Sequence, residues 1–108
     1  MSKVTTHVLD TAHGMPAAGI PVTLRDGDGV ILARGQTDAD GRVKELGPEE
    51  LPAGPYALVF DTARYFELID LEGFYPRVTI DFQIVDPDEH FHLPLLLSAF
   101  GYSTYRGS

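Results

Sequence analysis

Short runs in which apolar and polar residues alternate recur along the chain, and turn residues separate them. In the clearest run, Arg77–Val85, apolar residues take every second position from Val78 to Ile84. Alternation with a period of two is typical of a strand that buries one face. Glycine or proline interrupts the sequence every few residues, which leaves no room for long helices. The pattern therefore predicts an all-β sandwich.

The same criteria predict eight strands and one helix. The strands are Lys3–Asp10, Pro21–Asp26, Val30–Thr37, Arg42–Leu46, Gly54–Phe60, Arg77–Val85, His90–Ser98 and Gly101–Arg106. A glycine-rich turn between the second and third runs predicts a hairpin. Asp61–Glu72 contains good helix formers and starts with residues that can cap a helix, so it predicts the short helix. No linker or internal repeat divides the chain, and residues 1–108 are predicted to form a single domain.

Composition narrows the class of protein. The chain has 108 residues, 44% of them hydrophobic, and a formal net charge of −8. This acidic balance argues against a nucleic-acid partner, which requires a basic face. The absence of cysteine excludes disulfides and a thiol nucleophile. No apolar run reaches the length of a membrane span, and no signal peptide is visible, so we expect a cytoplasmic protein without membrane contact.

A pair of histidines stands out near the end of the chain. His90 and His92 are two residues apart in a predicted strand, so their side chains share one face. Phe91 and Leu93 face the opposite side and read as core, which directs both histidines away from it. A metal site is one interpretation, but no carboxylate stands at a matching spacing to supply a third ligand. Two surface histidines on a strand are the alternative, and this segment alone leaves both open.

Other polar residues are equally ambiguous when each is taken alone. His7 alternates with Thr6 and Val8 in the first strand, and Arg42 directly follows a tight turn. A single strand histidine is usually structural, and an arginine after a turn is most often a charge at a strand edge. Chemistry would require these residues to converge in the folded chain.

Several motifs resemble the 5-hydroxyisourate hydrolases, the transthyretin-related enzymes of urate breakdown. Near the N-terminus the resemblance rests on Thr5–Thr11 (TTHVLDT) and Gly14–Ala17 (GMPA), and in the middle on Thr37–Arg42 (TDADGR). Near the C-terminus it rests on His90–Ser98 (HFHLPLLLS) and Gly101–Ser108 (GYSTYRGS), whose last four residues are the most specific element. The resemblance extends over the whole chain.

The resemblance implies a transthyretin-like Greek-key sandwich of seven to eight strands with one short helix. It also implies a homotetramer, a dimer of dimers, with active sites at the dimer–dimer interface. The implied substrate is 5-hydroxyisourate, which water opens to 2-oxo-4-hydroxy-4-carboxy-5-ureidoimidazoline. We expect no metal and no organic cofactor, because histidines can move the protons and an arginine can hold the carbonyl oxygens.

By position, the resemblance also implies the site residues. Those for catalysis are His7, Arg42, His92 and Ser108. Those for substrate binding are His7, Arg42 and Tyr105, and those in supporting positions are His90 and Arg106. We expect Phe100, Tyr102 and Tyr105 to anchor the C-terminal tail by burying their rings, and we expect the chain-end carboxylate of Ser108 to be a fixed charge in the site.

Two other functions remain alternatives at this point. A transthyretin-like tetramer contains a channel, and a channel suits a non-enzymatic carrier of small molecules. The histidine and arginine set and the ending Tyr105–Ser108 argue against the carrier. The turn and strand motifs of the N-terminal half also occur in β-sandwich interaction modules, because such motifs are signals of the fold and do not determine function.

Overall fold

The computed structural model describes residues 2–108. Within this range there are nine strands and one helix. The strands are β1 (Val4–Asp10), β2 (Met15–Pro16), β3 (Pro21–Asp26), β4 (Ile31–Gln36), β5 (Arg42–Val43), β6 (Gly54–Phe60), β7 (Val78–Ile84), β8 (Phe91–Leu97) and β9 (Tyr102–Thr104). The helix, α1, spans Thr62–Leu68.

The strands form two sheets. The first has the order β2-β1-β8-β9, and β5 also pairs with β1. The second has the order β4-β3-β6-β7. β1 and β8 run parallel, whereas the other pairs are antiparallel. Three strands, β5, β1 and β8, therefore lie side by side in the first sheet, and this arrangement carries the candidate site.

Both sheets bury one face in a common core. Along β1 the buried positions alternate with half-buried ones, as a strand with one covered face requires. Val8 and Leu95 of the first sheet and Leu24, Leu58 and Ile84 of the second are fully buried. The opposite face of the first sheet is free for polar side chains. The predicted all-β sandwich is confirmed.

The ends of several elements differ from the prediction. β2 is missed because two residues carry no alternation, and β5 ends at Val43 instead of Leu46. The helix begins where expected, since Asp61 caps it by accepting a hydrogen bond from the backbone N–H of Arg64 at 3.2 Å. It stops at Leu68 instead of Glu72, because Asp70 takes a left-handed backbone conformation that no α-helix continues through.

A buried carboxylate connects the helix to the first sheet. Asp10, at the end of β1, accepts hydrogen bonds from the hydroxyl of Tyr65 at 2.6 Å and from the backbone and ring of His13 at 3.0 and 2.8 Å. Burial acts to raise the pKa of Asp10, but these donors outweigh it and leave the pKa below its ordinary value. His13 therefore helps to fix the turn after β1.

Candidate active site

The register of the first sheet brings together residues that are far apart in the sequence. His7 of β1 lies beside Arg42 of β5, and Thr5 of β1 lies beside His92 of β8. Successive side chains of a strand point to opposite faces, so Thr5 and His7 share the face that turns away from the core. The convergence that chemistry requires is present.

Three of these residues, Thr5, Arg42 and His92, border an open cleft of about 620 Å³ on the outer face of the first sheet. Its lining residues are Thr5, Thr6, Asp40, Arg42, Val43, Lys44, Glu45, His90, His92 and Ser108. The lining carries charges of both signs and two imidazoles, with few apolar side chains. Such a surface suits a polar ligand that needs several hydrogen bonds.

A tight turn sets the position of Arg42. Asp38 accepts hydrogen bonds from the backbone N–H groups of Arg42 at 3.0 Å and Asp40 at 2.9 Å, and these bonds lower its pKa. Gly41 adopts a φ of 76°, and a Cβ there would lie 2.3 Å from the carbonyl oxygen of Val8. Only glycine fits this close approach to β1. The turn thus places Arg42 next to His7.

A hydrogen bond fixes the tautomer of His7. Its Nε2 lies 2.9 Å from the carbonyl oxygen of Asp40. A carbonyl oxygen only accepts, so Nε2 of His7 carries a proton and donates it. In the neutral ring the lone pair is therefore on Nδ1, which leaves that nitrogen as the one able to exchange a proton with a ligand.

His92 is held from two sides. Its Nδ1 lies 2.8 Å from the hydroxyl oxygen of Thr5, and a Cβ added to Gly107 would lie 2.7 Å from Cδ2 of the ring. Burial lowers the pKa of His92, and the positive charge of Arg42 lowers it further, with smaller contributions from His7 and His90. The imidazole is consequently neutral at neutral pH, the state in which it can accept a proton.

The C-terminal tail closes over this imidazole. The backbone N–H of Gly107 donates a hydrogen bond to the carbonyl oxygen of His92 at 2.8 Å, and the two residues form a β-bridge. Because Gly107 is bound in this way, Ser108 joins the lining of the cleft. Arg42, His90, His92 and Ser108 therefore meet there, and His7 lies directly beside Arg42.

Tyr105 and Arg106 lie elsewhere within this chain. Both line a second cleft, of about 240 Å³, formed by the β7 edge and residues of β8 and the tail. Arg106 donates a hydrogen bond to Glu89 at 2.6 Å and packs over the ring of Phe91 at 4.6 Å. The structure thus places these two predicted site residues outside the histidine cleft of their own chain.

The expected anchoring of the tail is seen only in part within one chain. Phe100, Tyr102 and Tyr105 remain 78%, 43% and 59% exposed. Within one chain Tyr102 packs against the ring of Tyr75 at 5.2 Å, whereas Phe100 and Tyr105 stay largely uncovered, so the anchoring of the tail by these rings stays a prediction that requires a second surface. Pairing of β9 with β8 and the backbone bond of Gly107 also hold the tail.

The structure offers no ready metal centre. In residues 2–108, no group of three or more histidine, aspartate or glutamate side chains is arranged to hold a metal ion. His90 and His92 instead share the hydroxyl of Thr5, at 2.9 and 2.8 Å. That geometry describes a hydrogen-bonded pair of imidazoles.

Sequence reasoning missed two residues that shape the site. Thr5 bonds both histidines, and Gly107 allows the tail to pack against the ring of His92. Thr5 and His7 are two residues apart in a strand and so share one face, but nothing in the sequence sets the β1–β8 register that puts Thr5 beside His92. The glycine has no signal apart from its place in the terminal motif.

Comparison with known proteins agrees with the fold. The family model described as "HIUase/Transthyretin family" matches residues 4–107. The chain is 46% identical to the 5-hydroxyisourate hydrolase of Caulobacter vibrioides, over all of both chains. The solved Klebsiella pneumoniae 5-hydroxyisourate hydrolase superposes with a TM-score of 0.89 at 43% identity, covering 97% of this chain and 98% of that one. This protein belongs to the HIUase/transthyretin family.

A protein solved with a bound small molecule has the same fold. A structure of sea bream transthyretin in complex with thyroxine superposes with the same TM-score, 0.89, at 31% identity, and the match covers 97% of this chain and 94% of that one. The shared fold therefore does not separate hydrolase from carrier, and the decision rests on the residues of the cleft.

The single helix in residues 2–108 is not long and apolar enough to cross a membrane.

Proposed function

We propose that this protein hydrolyses 5-hydroxyisourate to 2-oxo-4-hydroxy-4-carboxy-5-ureidoimidazoline. The observation that carries the proposal is the meeting of Arg42, His90, His92 and Ser108 in one cleft, with His7 beside Arg42. The named hydrolases at 43 to 46% identity support the choice of substrate. The polar character of the cleft suits a flat ring rich in carbonyl groups.

In the proposed reaction His92 takes a proton from water through Nε2 as the water oxygen bonds to a ring carbonyl carbon. The lowered pKa of His92 supports this role, because the ring is then unprotonated and ready at neutral pH. Arg42 offers a planar fork of N–H donors to the oxygen that gains negative charge. The hydroxyl of Ser108 orients the water.

The ring then opens as the carbon–nitrogen bond breaks and the leaving nitrogen takes up a proton. We assign this delivery to His7, which takes up a proton from solvent on Nδ1, the nitrogen left available by the bond from Nε2 to Asp40, and passes it to the leaving nitrogen. The proton taken by His92 returns to solvent, so the sum is the addition of one water molecule. None of these steps calls on a metal or an organic cofactor.

We further propose that the working form is a homotetramer, a dimer of dimers with the cleft at the dimer–dimer interface. The outer edges of β7 and β9 carry unpaired backbone groups among the described residues, and such edges readily pair with a second copy. Phe100 and Tyr105 present exposed rings near one of these edges. Assembly would bury these rings and bring the partner's Tyr105 toward the histidine cleft, where this residue is expected to bind substrate.

The alternative, a small-molecule carrier, is less well supported. The likeness to transthyretin is 31% in identity, below the 43 to 46% found with the hydrolases. A carrier of hydrophobic compounds would need an apolar lining, whereas this cleft carries Arg42, Lys44, Glu45 and two imidazoles. We therefore place the hydrolase first.

The deciding experiment is an assay with substrate made in place. Urate oxidase converts urate to 5-hydroxyisourate at neutral pH, and the ultraviolet decay of that compound is followed with and without this protein. We expect a large acceleration by the wild type and its loss in His92→Gln and Arg42→Met variants that stay folded by circular dichroism. A folded wild type that leaves the spontaneous decay unchanged would refute the hydrolase and move the carrier to first place.

A further inference from the structure

A single hydroxyl group joins the two histidines of the cleft. The Oγ1 atom of Thr5 lies 2.8 Å from Nδ1 of His92 and 2.9 Å from Nε2 of His90. Both distances are those of good hydrogen bonds. The three side chains therefore form one chain of hydrogen bonds, and the proton of the hydroxyl can serve only one of the two rings at a time.

The state of His92 decides where that proton points. When His92 holds a proton on each nitrogen, Nδ1–H must donate to the oxygen of Thr5. The hydroxyl proton of Thr5 then turns to Nε2 of His90, which accepts it if His90 is neutral with its own proton on Nδ1. Every polar atom in the chain is satisfied in this arrangement, and the positive charge on His92 is spread along it.

The opposite end of the His92 ring is the one that reacts. Among residues 2–108 no group forms a hydrogen bond with Nε2 of His92, and His92 lines the cleft. Thr5 and the β1–β8 register fix the Nδ1 side, and Gly107 packs against Cδ2. The ring cannot turn without losing these contacts.

We propose that Thr5 is a positioning residue: its oxygen accepts a hydrogen bond from Nδ1–H of His92, its hydroxyl donates a hydrogen bond to Nε2 of His90, and Nε2 of His92 is thereby kept ready to take a proton from water. The proposal rests on the hydrolase function above, in which His92 is the base. In other catalytic histidines a carboxylate or carbonyl oxygen fixes the tautomer and stabilises the cation. The hydroxyl of Thr5 does the same for His92. His90 is the acceptor behind Thr5.

Other charged or titratable groups face His92 and must be kept constant in any test. They come from β5 and the turns beside it, from β1, from β8 and from the tail, and they are Asp40, Arg42, Lys44, Glu45, His7, His90 and Ser108. None of them forms a direct hydrogen bond with the imidazole of His92 in residues 2–108, so the effect of Thr5 can be separated from theirs.

The first test is Thr5→Val, which keeps the shape and strand preference of the side chain and removes the hydroxyl. We expect kcat to fall by about tenfold to a hundredfold, as for other groups that orient a functional histidine, with KM changed by less than about twofold. Thr5→Ser should restore most of the rate. Thr79→Val, on an exposed position of β7, is the control for the same exchange in a strand away from the cleft.

A second test needs no substrate and so separates this inference from the proposed reaction. The ring nitrogens of His92 are followed by ¹⁵N magnetic resonance through a pH titration of the wild type and of Thr5→Val. Loss of the acceptor disfavours the charged ring, so we expect the pKa of His92 to fall in the variant and its tautomers to mix. An unchanged titration and tautomer of His92 would overturn the proposal, whatever the wild type does with 5-hydroxyisourate.

The role of His90 is tested by a double-mutant cycle. If Thr5 acts through His90, then His90→Ala should lower kcat in the wild type but add nothing to the loss in Thr5→Val. His90→Gln supplies an amide oxygen that can accept from Thr5, and it should retain more of the rate than His90→Ala. Fully additive losses would show that Thr5 does not act through His90, and that result would contradict the proposal.

Discussion

In the proposed reaction Arg42 affects both the stabilisation of the oxyanion and the protonation of His92. As a cation it stabilises the oxygen that gains negative charge, and the same positive charge lowers the pKa of His92. A lower pKa weakens the base but keeps it unprotonated over a wider range of pH. Because a shift of one pKa unit corresponds to about 1.4 kcal/mol, a modest shift costs little proton affinity compared with the gain in oxyanion stabilisation.

The pH dependence of activity follows from this arrangement. Burial, Arg42, His7 and His90 all lower the pKa of His92 from 6.5, so its protonation occurs below that value as the pH falls. We therefore expect the acid limb of kcat/KM to have its midpoint below 6.5. In Arg42→Met the midpoint of the His92 titration, measured by magnetic resonance, should rise. A titration that stays in place or falls would contradict the electrostatic account.

At the scale of residues, the sequence predicts which face of a strand a side chain occupies better than it predicts which residue that side chain contacts. Alternation correctly placed His90 and His92 on the face opposite Phe91 and Leu93, which are buried. It gave no means of pairing Thr5 with His92, because the pairing depends on the register between strands 87 residues apart. Long-range register is set by the packing of the whole sandwich, and a single sequence records it only indirectly.

At the scale of elements, two similar turns serve different purposes. Asp26–Gly29 and Asp38–Gly41 each have an aspartate that accepts two backbone N–H groups and a glycine with positive φ. The first turn connects β3 to β4 on the surface, and a Cβ on Gly29 would contact nothing within 4 Å. The second presses its glycine against β1 and sends Arg42 into the cleft.

This contrast gives a matched pair of substitutions. Gly29→Ala and Gly41→Ala both place a side chain where φ is positive, at 83° and 76°, which costs about 1 kcal/mol or more of stability. In Gly41→Ala the new Cβ also meets the carbonyl oxygen of Val8, so β5 must shift. We expect both variants to lose thermal stability and only Gly41→Ala to lose most of its activity, as measured by melting curves and the urate-coupled assay. Equal activity in the two variants would show that the turn does not position Arg42.

Regular elements were predicted well and irregular ones poorly. Seven-residue strands such as β1 and β7 show clear alternation, and the structure contains them nearly as predicted. The two-residue strands and the end of α1 are decided by contacts that leave no periodic signal, such as the bond from the N–H of Leu71 to the carbonyl oxygen of Phe66. Propensity over short windows cannot detect such contacts.

At the scale of the molecule, a single chain does not bring all of the predicted site residues together. Tyr105 and Arg106 face the second cleft, and Phe100 and Tyr105 keep most of their surface exposed. Large exposed aromatic side chains near unpaired strand edges are typical of a surface that another protein chain covers. The proposed homotetramer would account for both observations, and it would make activity depend on assembly.

Phe100→Asp tests this dependence, because a ring that is 78% exposed can be replaced without disturbing the fold of one chain. Burial of a phenylalanine contributes about 1.5–3 kcal/mol per copy, and a charge in its place would weaken every interface that covers it. We expect a folded protein that sediments as a smaller species and hydrolyses 5-hydroxyisourate slowly. Val30→Asp, at a 55% exposed position beside the β3–β4 turn, should leave mass and rate unchanged. A Phe100→Asp variant that is smaller yet fully active would show that each chain carries a complete site, whereas one that keeps the wild-type mass would remove Phe100 from the interface.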